Sequence, residues 1–335
     1  MALSKHYLKR PFQLGNVTLP SNVFCSPLAG CSDFPFRQRM TPYQPGLVFC
    51  EMVKMEALIR HDPHTYRLLD YEAEMHPIGA QLCGSNPKIV GECAKIIEEL
   101  GFDVIDLNCG CPVDKVTKDN SGSGLLRFPE LIGELLSNMI AAVKIPVTVK
   151  IRAGWDDDSI NGPLITKIAE EAGAKIISVH GRTRCQGYRG PANWDHIKAC
   201  KEAASSILVF GNGDVLDGPS AEKMFQDTGC DGVLVSRGSF GKPWIFEEIY
   251  RHLSGEAPIE RSPLQIRDEL LEHLDAILAY QQGRKARLDL RRIGSWYFKK
   301  GSGHKKLREI VVNTKDIEEV VEQIKAYSGE ETCPI

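Results

Sequence analysis

Eight short runs rich in Val, Ile and Leu recur along the first two-thirds of the chain, separated by stretches with helical spacing. They are Val23 to Pro27, Gly46 to Glu51, Ile78 to Leu82, Val104 to Leu107, Val147 to Ile151, Lys175 to Val179, Ile207 to Phe210 and Gly232 to Val235. Most lack polar alternation, which is how strands buried on both faces read. Between them, Pro87 to Leu100 sets Ile89, Val90, Cys93, Ala94, Ile96, Ile97 and Leu100 on one stripe, with Asn86 as N-cap. Eight strand–helix units in roughly 250 residues predict an α/β fold, a (β/α)8 TIM barrel. An open doubly wound sheet is disfavoured, because no GxGxxG follows the first run.

The rhythm breaks between Ser254 and Pro263, where Gly255 and Pro258 punctuate the chain. Beyond it the pattern predicts helices over Leu264 to Gln282, Ala286 to Lys300 and Thr314 to Tyr327. The expected division is a catalytic barrel over residues 1–255 and a small all-helical domain over 262–335. Eleven cysteines without a CxxC pair, and no apolar run long enough to span a membrane, point to a reduced cytoplasmic protein without a metal site.

A formal net charge of -3 gives no global signal for a polyanion partner. The local distribution does. Between Arg284 and Arg308 stand ten basic residues, including Arg284, Lys285, Arg287, Arg291, Arg292, Lys305 and Lys306, against the single acid Asp289. Trp296, Tyr297 and Phe298 interleave with them. A solvated helix face is the plain alternative, but this density favours binding to a phosphate backbone.

In such barrels functional residues sit at the C-terminal strand ends. The ends of the last two strands carry Gly211, Gly213, Gly238 and Arg237. Glycines let backbone N–H groups approach a phosphate, and this is the usual phosphate corner of the fold. Gln81, Asn108, Lys150 and His180 stand at the ends of the third to sixth runs. They form a donor-rich set suited to the pyrimidine edge of a flavin, and Lys150 or His180 could supply the positive group that a reduced ring needs. With a single phosphate corner, the set suggests FMN. Cys111 lies in a Gly-Cys-Pro turn; a thiol is mostly protonated at neutral pH and can act as a general acid. The glycines of Ser121 to Leu126 suggest a mobile loop able to close over a substrate.

Several motifs together resemble the tRNA-dihydrouridine synthase family. They are Ser26 to Asp33 with Phe36-Arg37, Asn108 to Pro112, Ser121 to Leu126, Lys150-Ile151-Arg152, His180 to Thr183, Asn212-Gly213-Asp214 and Arg237. Pro243 to Phe246 follows as in the bacterial B-type branch. The resemblance implies an FMN enzyme that uses NADPH to reduce the C5=C6 bond of a tRNA uridine, of the D-loop in this branch. Hydride would go to C6, and Cys111 would protonate C5 from the opposite side. It further implies that Pro27, Leu28, Ala29, Gln81, Asn108, Lys150, His180, Asn212, Gly213, Asp214, Ser236 and Arg237 hold FMN, with Arg182 and the basic tail facing RNA. Leu28 and Ser236 depart from the common Met and Gly, and Cys109 replaces an apolar residue. A flavin-dependent pyrimidine reductase of dihydroorotate dehydrogenase type, without need of a basic tail, and a non-catalytic tRNA-binding protein are the alternatives.

Overall fold

A computed structural model of the chain describes residues 7–297, 308–309, 311 and 316–327. A short hairpin, β1 (Phe12–Leu14) and β2 (Val17–Leu19), precedes eight parallel strands. These are β3 (Val23–Cys25), β4 (Val48–Lys54), β5 (Ile78–Cys83), β6 (Val104–Cys109), β7 (Val147–Arg152), β8 (Ile176–His180), β9 (Leu208–Asn212) and β10 (Gly232–Val235). They close into a barrel in the order β10-β3-β4-β5-β6-β7-β8-β9, with Leu234 opposite Phe24 where first and last strands meet. All eight expected strands are present, shifted by a few residues at their ends.

The alternation of side chains along each strand sorts the barrel interior into layers. At the bottom, Phe24, Phe49 and Phe210 meet Phe12, Leu14 and Leu19 of the hairpin, which plugs the barrel. Sequence periodicity does not reveal this hairpin, because strands of three residues are too short to display a period. Higher up the inward residues turn polar: Gln81, Asp106 and Thr148 are all buried. Outward positions such as Val149, Ile151 and Cys109 pack against the surrounding helices. One of these, Pro87–Glu99, is capped by Asn86 Oδ1, which accepts from Lys88 N at 3.0 Å.

Three further helices, Pro263–Tyr280, Gly283–Tyr297 and Ile317–Lys325, gather a second hydrophobic cluster around Leu274, Ile277, Leu290, Ile293 and Ile324. Ser262 starts the first of them through a reciprocal capping box with Gln265. This unit docks on the barrel's Phe34–Met40 helix, where Arg39 pairs with Glu269 at 3.0 Å and Glu272 at 2.5 Å. Trp296 stacks on Phe240, ring centroids 4.0 Å apart, and the Tyr297 hydroxyl meets His273 Nδ1 at 3.1 Å inside the cluster. Both aromatics, expected to interleave with the basic residues at the RNA surface, therefore serve packing instead. Phe298, Lys305 and Lys306 lie outside the described residues. Among the described residues, no helix is long and apolar enough to cross a membrane.

Candidate active site

A cleft of about 320 Å³ opens at the C-terminal end of the barrel. Twelve residues expected to hold the cofactor, together with Cys111, line it. Pro27, Leu28 and Ala29 follow β3; Gln81 comes from β5; Asn108 and Cys111 come from β6 and its loop. Lys150 and His180 come from β7 and β8, Asn212, Gly213 and Asp214 from β9, and Ser236 and Arg237 follow β10.

The Cys111 turn is held from several sides. Asn108 Oδ1 accepts from the backbone N–H of Gly110 at 3.1 Å and of Cys111 at 2.9 Å. Arg152 Nε donates to Gly110 O at 2.8 Å, and Ser123 donates to Cys111 O through both N (3.0 Å) and Oγ (2.8 Å). Ser123 belongs to a 3-10 helix, Gly122–Arg127, in which Gly122 to Leu126 are buried. The glycine-bearing segment packs here as a buttress under the cysteine, where the sequence suggested a mobile closing loop. Gly122 has φ +57°, and a Cβ there would come within 2.9 Å of Cys111 O, so glycine answers a close approach. Cys109, two residues before Cys111, is fully buried on the outer face of β6, and burial pushes its thiol well above the ordinary range. It packs in the core and does not reach the cleft.

The Lys150 ammonium makes no hydrogen bond or ion pair among the described residues, although Asp106 lies near enough to act on its charge. Burial, reinforced by the like charge of Arg152, lowers it from 10.5 to about 8, so it stays largely cationic at neutral pH. His180 behaves differently. Burial and the cations Lys150, Arg152 and Arg182 push it well below 6.5, and its Nε2 lies 3.2 Å from Arg182 Nη1, which can only donate. His180 is therefore neutral, and of the two candidates for the positive group only Lys150 qualifies.

Arg182 itself is 2% exposed. Its Nη2 donates to both oxygens of Asp214, at 2.9 and 2.8 Å, and to Gly190 O at 2.6 Å. It does not face RNA: β8 ends beneath the loop that carries it, and the guanidinium is enclosed by its own fold. Asp214, with φ +59°, also accepts from Ala192 N at 2.7 Å and from Arg237 at 3.4 Å. Its carboxylate thus orients two guanidiniums rather than facing the cleft alone.

At the β9–β10 corner Gly213 has φ +116°, and a Cβ there would approach Ala192 Cβ to 2.9 Å and His180 Cδ2 to 3.0 Å. Ser236, in place of the family's glycine, keeps φ at -108°, outside the left-handed region that would call for glycine. Asn212 Nδ2 donates to Leu234 O and Ser236 Oγ, both at 2.9 Å, tying the two strand ends together. Arg237 pairs with Asp214 at 3.4 Å, and its side chain, 45% exposed, keeps an open side toward an anion. Gly211 belongs to β9, where a Cβ would strike Met224; it serves packing, not the phosphate corner. An unpaired lysine, a neutral histidine and an anion corner fit a flavin mononucleotide by donor chemistry.

Among the other lining residues, Arg152 and Tyr188 carry no site role in the sequence reading, although Arg152 ends the Lys150-Ile151-Arg152 motif. Arg152 stands two positions beyond Lys150, hence on the same strand face, and that spacing was the available signal. Tyr188 lies between the guanidiniums of Arg152 and Arg237, 5.5 and 5.1 Å from its ring centroid, and is 59% exposed at the mouth. No local pattern marks it, because the loop between Gly187 and Gly190 brings it over the cleft from outside the strand end.

On the helical unit, Arg284, Lys285, Arg287 and Arg291 are exposed. Arg284, Arg287 and Arg291 have no ion pair among the described residues, whereas Lys285 lies 3.7 Å from Asp289. Arg292 departs from the expectation. It turns toward the barrel, 3.0 Å from Asp289 and 3.6 Å from Asp33, and lies over Trp296. The helical period separates it from Arg291, putting one on the docking face and the other in solvent.

The dihydrouridine synthase family model matches residues 24–331 of this chain, nearly its whole length. The chain belongs to the dihydrouridine synthase family. A probable tRNA-dihydrouridine synthase of Rickettsia conorii is 40% identical over 272 residues, covering 80% of this chain and 81% of that protein. The tRNA-dihydrouridine synthase B of Pseudomonas aeruginosa is 36% identical over 320 residues, covering 95% of this chain and 96% of that one. The expected B-type resemblance is borne out by such relatives. Among solved structures, a histamine dehydrogenase from Rhizobium sp. 4-9 superposes with a TM-score of 0.56 at 13% identity, over 82% of this chain and 51% of that one. TcOYE with pHBA gives 0.53 at 14% identity, over 77% and 95%. These two share the barrel fold with this dihydrouridine synthase family member.

Proposed function

We propose that this protein is an FMN-dependent tRNA-dihydrouridine synthase that uses NADPH to reduce the C5=C6 bond of a D-loop uridine. The observation that carries the reading is one cleft that holds a thiol, Cys111, beside an unpaired lysine, Lys150, in a chain of this family. When bound, the flavin supplies the hydride that goes to uridine C6. Lys150 offers it a fixed positive charge, and Gly213, Ser236 and Arg237 receive its phosphate. Cys111 Sγ gives its proton to C5.

Residues 1–255 carry the chemistry, and residues 262–335 hold the RNA through Arg284, Arg287 and Arg291. Ten free cysteines among the described residues agree with a reducing, cytoplasmic setting. Mapping dihydrouridine in tRNA from cells with and without the protein tests the reading. Loss of the modified base at one or a few D-loop positions is expected, and an unchanged dihydrouridine map would refute it.

A further inference from the structure

Asp106 lies one layer below the reacting groups and does not line the cleft. It is 2% exposed, and both carboxylate oxygens are occupied: Thr148 Oγ1 donates to Oδ1 at 2.6 Å and Gln81 Nε2 donates to Oδ2 at 2.7 Å. From Gln81 the hydrogen bonds run upward. Asn108 Nδ2 donates to Gln81 Oε1 at 2.7 Å, and Asn108 Oδ1 accepts the N–H groups of Gly110 and Cys111.

The direction of this relay has no freedom. A backbone N–H can only donate, so Asn108 must turn its oxygen to the loop and its nitrogen to Gln81. Gln81 must then turn its own oxygen to Asn108 and its nitrogen downward, and residue 106 must accept. Reversing Asn108 sets donor against donor at the Cys111 turn; reversing Gln81 sets donor against donor at Asn108 and acceptor against acceptor at Asp106. Asn108 Nδ2 also donates to Met52 Sδ at 3.6 Å.

We infer that Asp106 is a positioning residue for the proton donor: it orients two side-chain amides and, through them, the backbone that carries Cys111. The inference rests on the reading of Cys111 given above. The other anchors of that turn, Arg152 and Ser123, hold its carbonyl oxygens. Among the described residues, the relay from Asp106 is what engages its N–H groups. Burial raises the Asp106 carboxyl to about 6, with the bonds from Thr148 and Gln81 and the charge of Lys150 opposing that rise, so at neutral pH it is mainly the acceptor the relay requires.

The test uses the flavin-loaded protein and the variants Asp106→Asn and Asp106→Leu, reading bound flavin, flavin reduction by NADPH and flavin reoxidation by tRNA. Asparagine can keep Oδ1 toward Gln81 while its nitrogen donates to Thr148 Oγ1, so the relay survives; leucine ends it. In Asp106→Leu, flavin reoxidation by tRNA is expected to slow at least about tenfold, and by more than reduction by NADPH, which feels the loss of the charge near Lys150. Asp106→Asn should return reoxidation to within about threefold of wild type. Equal reoxidation in wild type and Asp106→Leu, or no recovery with asparagine, would overturn the inference.

Should the leucine variant not fold, Gln81→Glu answers the same question with unchanged shape. Two facing carboxyls sustain the relay only while they share a proton. Its reoxidation rate per bound flavin, relative to wild type, should fall about tenfold between pH 6 and 9. A constant ratio across that range overturns the proposal. If tRNA failed to reoxidise even the wild-type flavin, the reading of the substrate would fall as well, so the two failures are distinct.

Discussion

Lys150 should cost this protein stability in return for its role, and Lys150→Met measures that cost. Burial and the neighbouring Arg152 lower the amine from 10.5 to about 8. A depression of that size corresponds to about 3 kcal/mol of disfavoured charge in the folded, flavin-free state. The sign follows from linkage. Between pH 8 and 10.5 the unfolded chain holds a proton that the folded chain has released, so the penalty is complete below about 8 and is relieved as pH rises to 10.5. Methionine has similar length and no charge. Flavin-stripped Lys150→Met is therefore expected to exceed wild type in stability by up to about 3 kcal/mol at pH 7. The gap should close toward pH 10.5. Urea unfolding at several pH values from 7 upward reads it, because groups that do not interact with Lys150 titrate in both proteins and cancel in the difference. With FMN added, the order should reverse in function: weaker flavin retention and slower turnover in the variant. A methionine variant less stable than wild type at pH 7, or a gap that ignores pH, would refute the assignment of Lys150 as a buried, unpaired cation.

Cys111→Ala should retain bound flavin and its reduction by NADPH, while turnover on tRNA falls about 10²–10⁴-fold, measured by dihydrouridine formation; undiminished turnover would remove Cys111 as proton donor. Replacing Arg284, Arg287 and Arg291 by Gln should weaken tRNA binding and flatten its salt dependence by roughly 0.7–0.9 in logarithmic slope per lost phosphate contact. An unchanged slope would make that surface an ordinary solvated face. Arg182→Ala should leave this slope intact but destabilise the fold by about 1–3 kcal/mol, since Asp214 and Gly190 O lose a buried charged donor while Asp214 keeps Ala192 N and Arg237. A changed salt slope with unchanged stability would return Arg182 to the RNA surface.

The barrel was legible in the chain because its strands are buried on both faces, and that burial writes itself as eight uninterrupted apolar runs. The cleft was legible for a related reason. A closed parallel barrel brings all strand ends to one rim, so residues as distant as Pro27 and Arg237 become neighbours once the strands are recognised. Motif resemblance then pointed to uridine and tRNA.

Other properties were not written locally. The hairpin at Phe12–Leu19 owes its stability to aromatic contacts beneath the barrel, which no three-residue strand can announce. Charge type alone could not separate Arg182 and Arg292, held by Asp214 and Asp33, from the exposed Arg287 and Arg291. The glycines of Gly122–Gly124 read as a mobile loop, and only the contact with Cys111 shows that they permit close packing. The amide relay from Asp106 to Cys111 crosses two strands and so appears in neither segment by itself. Composition and periodicity determined which residues are buried and which strand ends meet, because burial acts on each residue locally. Tertiary structure decided which charges are neutralised, which histidine is neutral and which amides point where, because those depend on partners far apart along the chain.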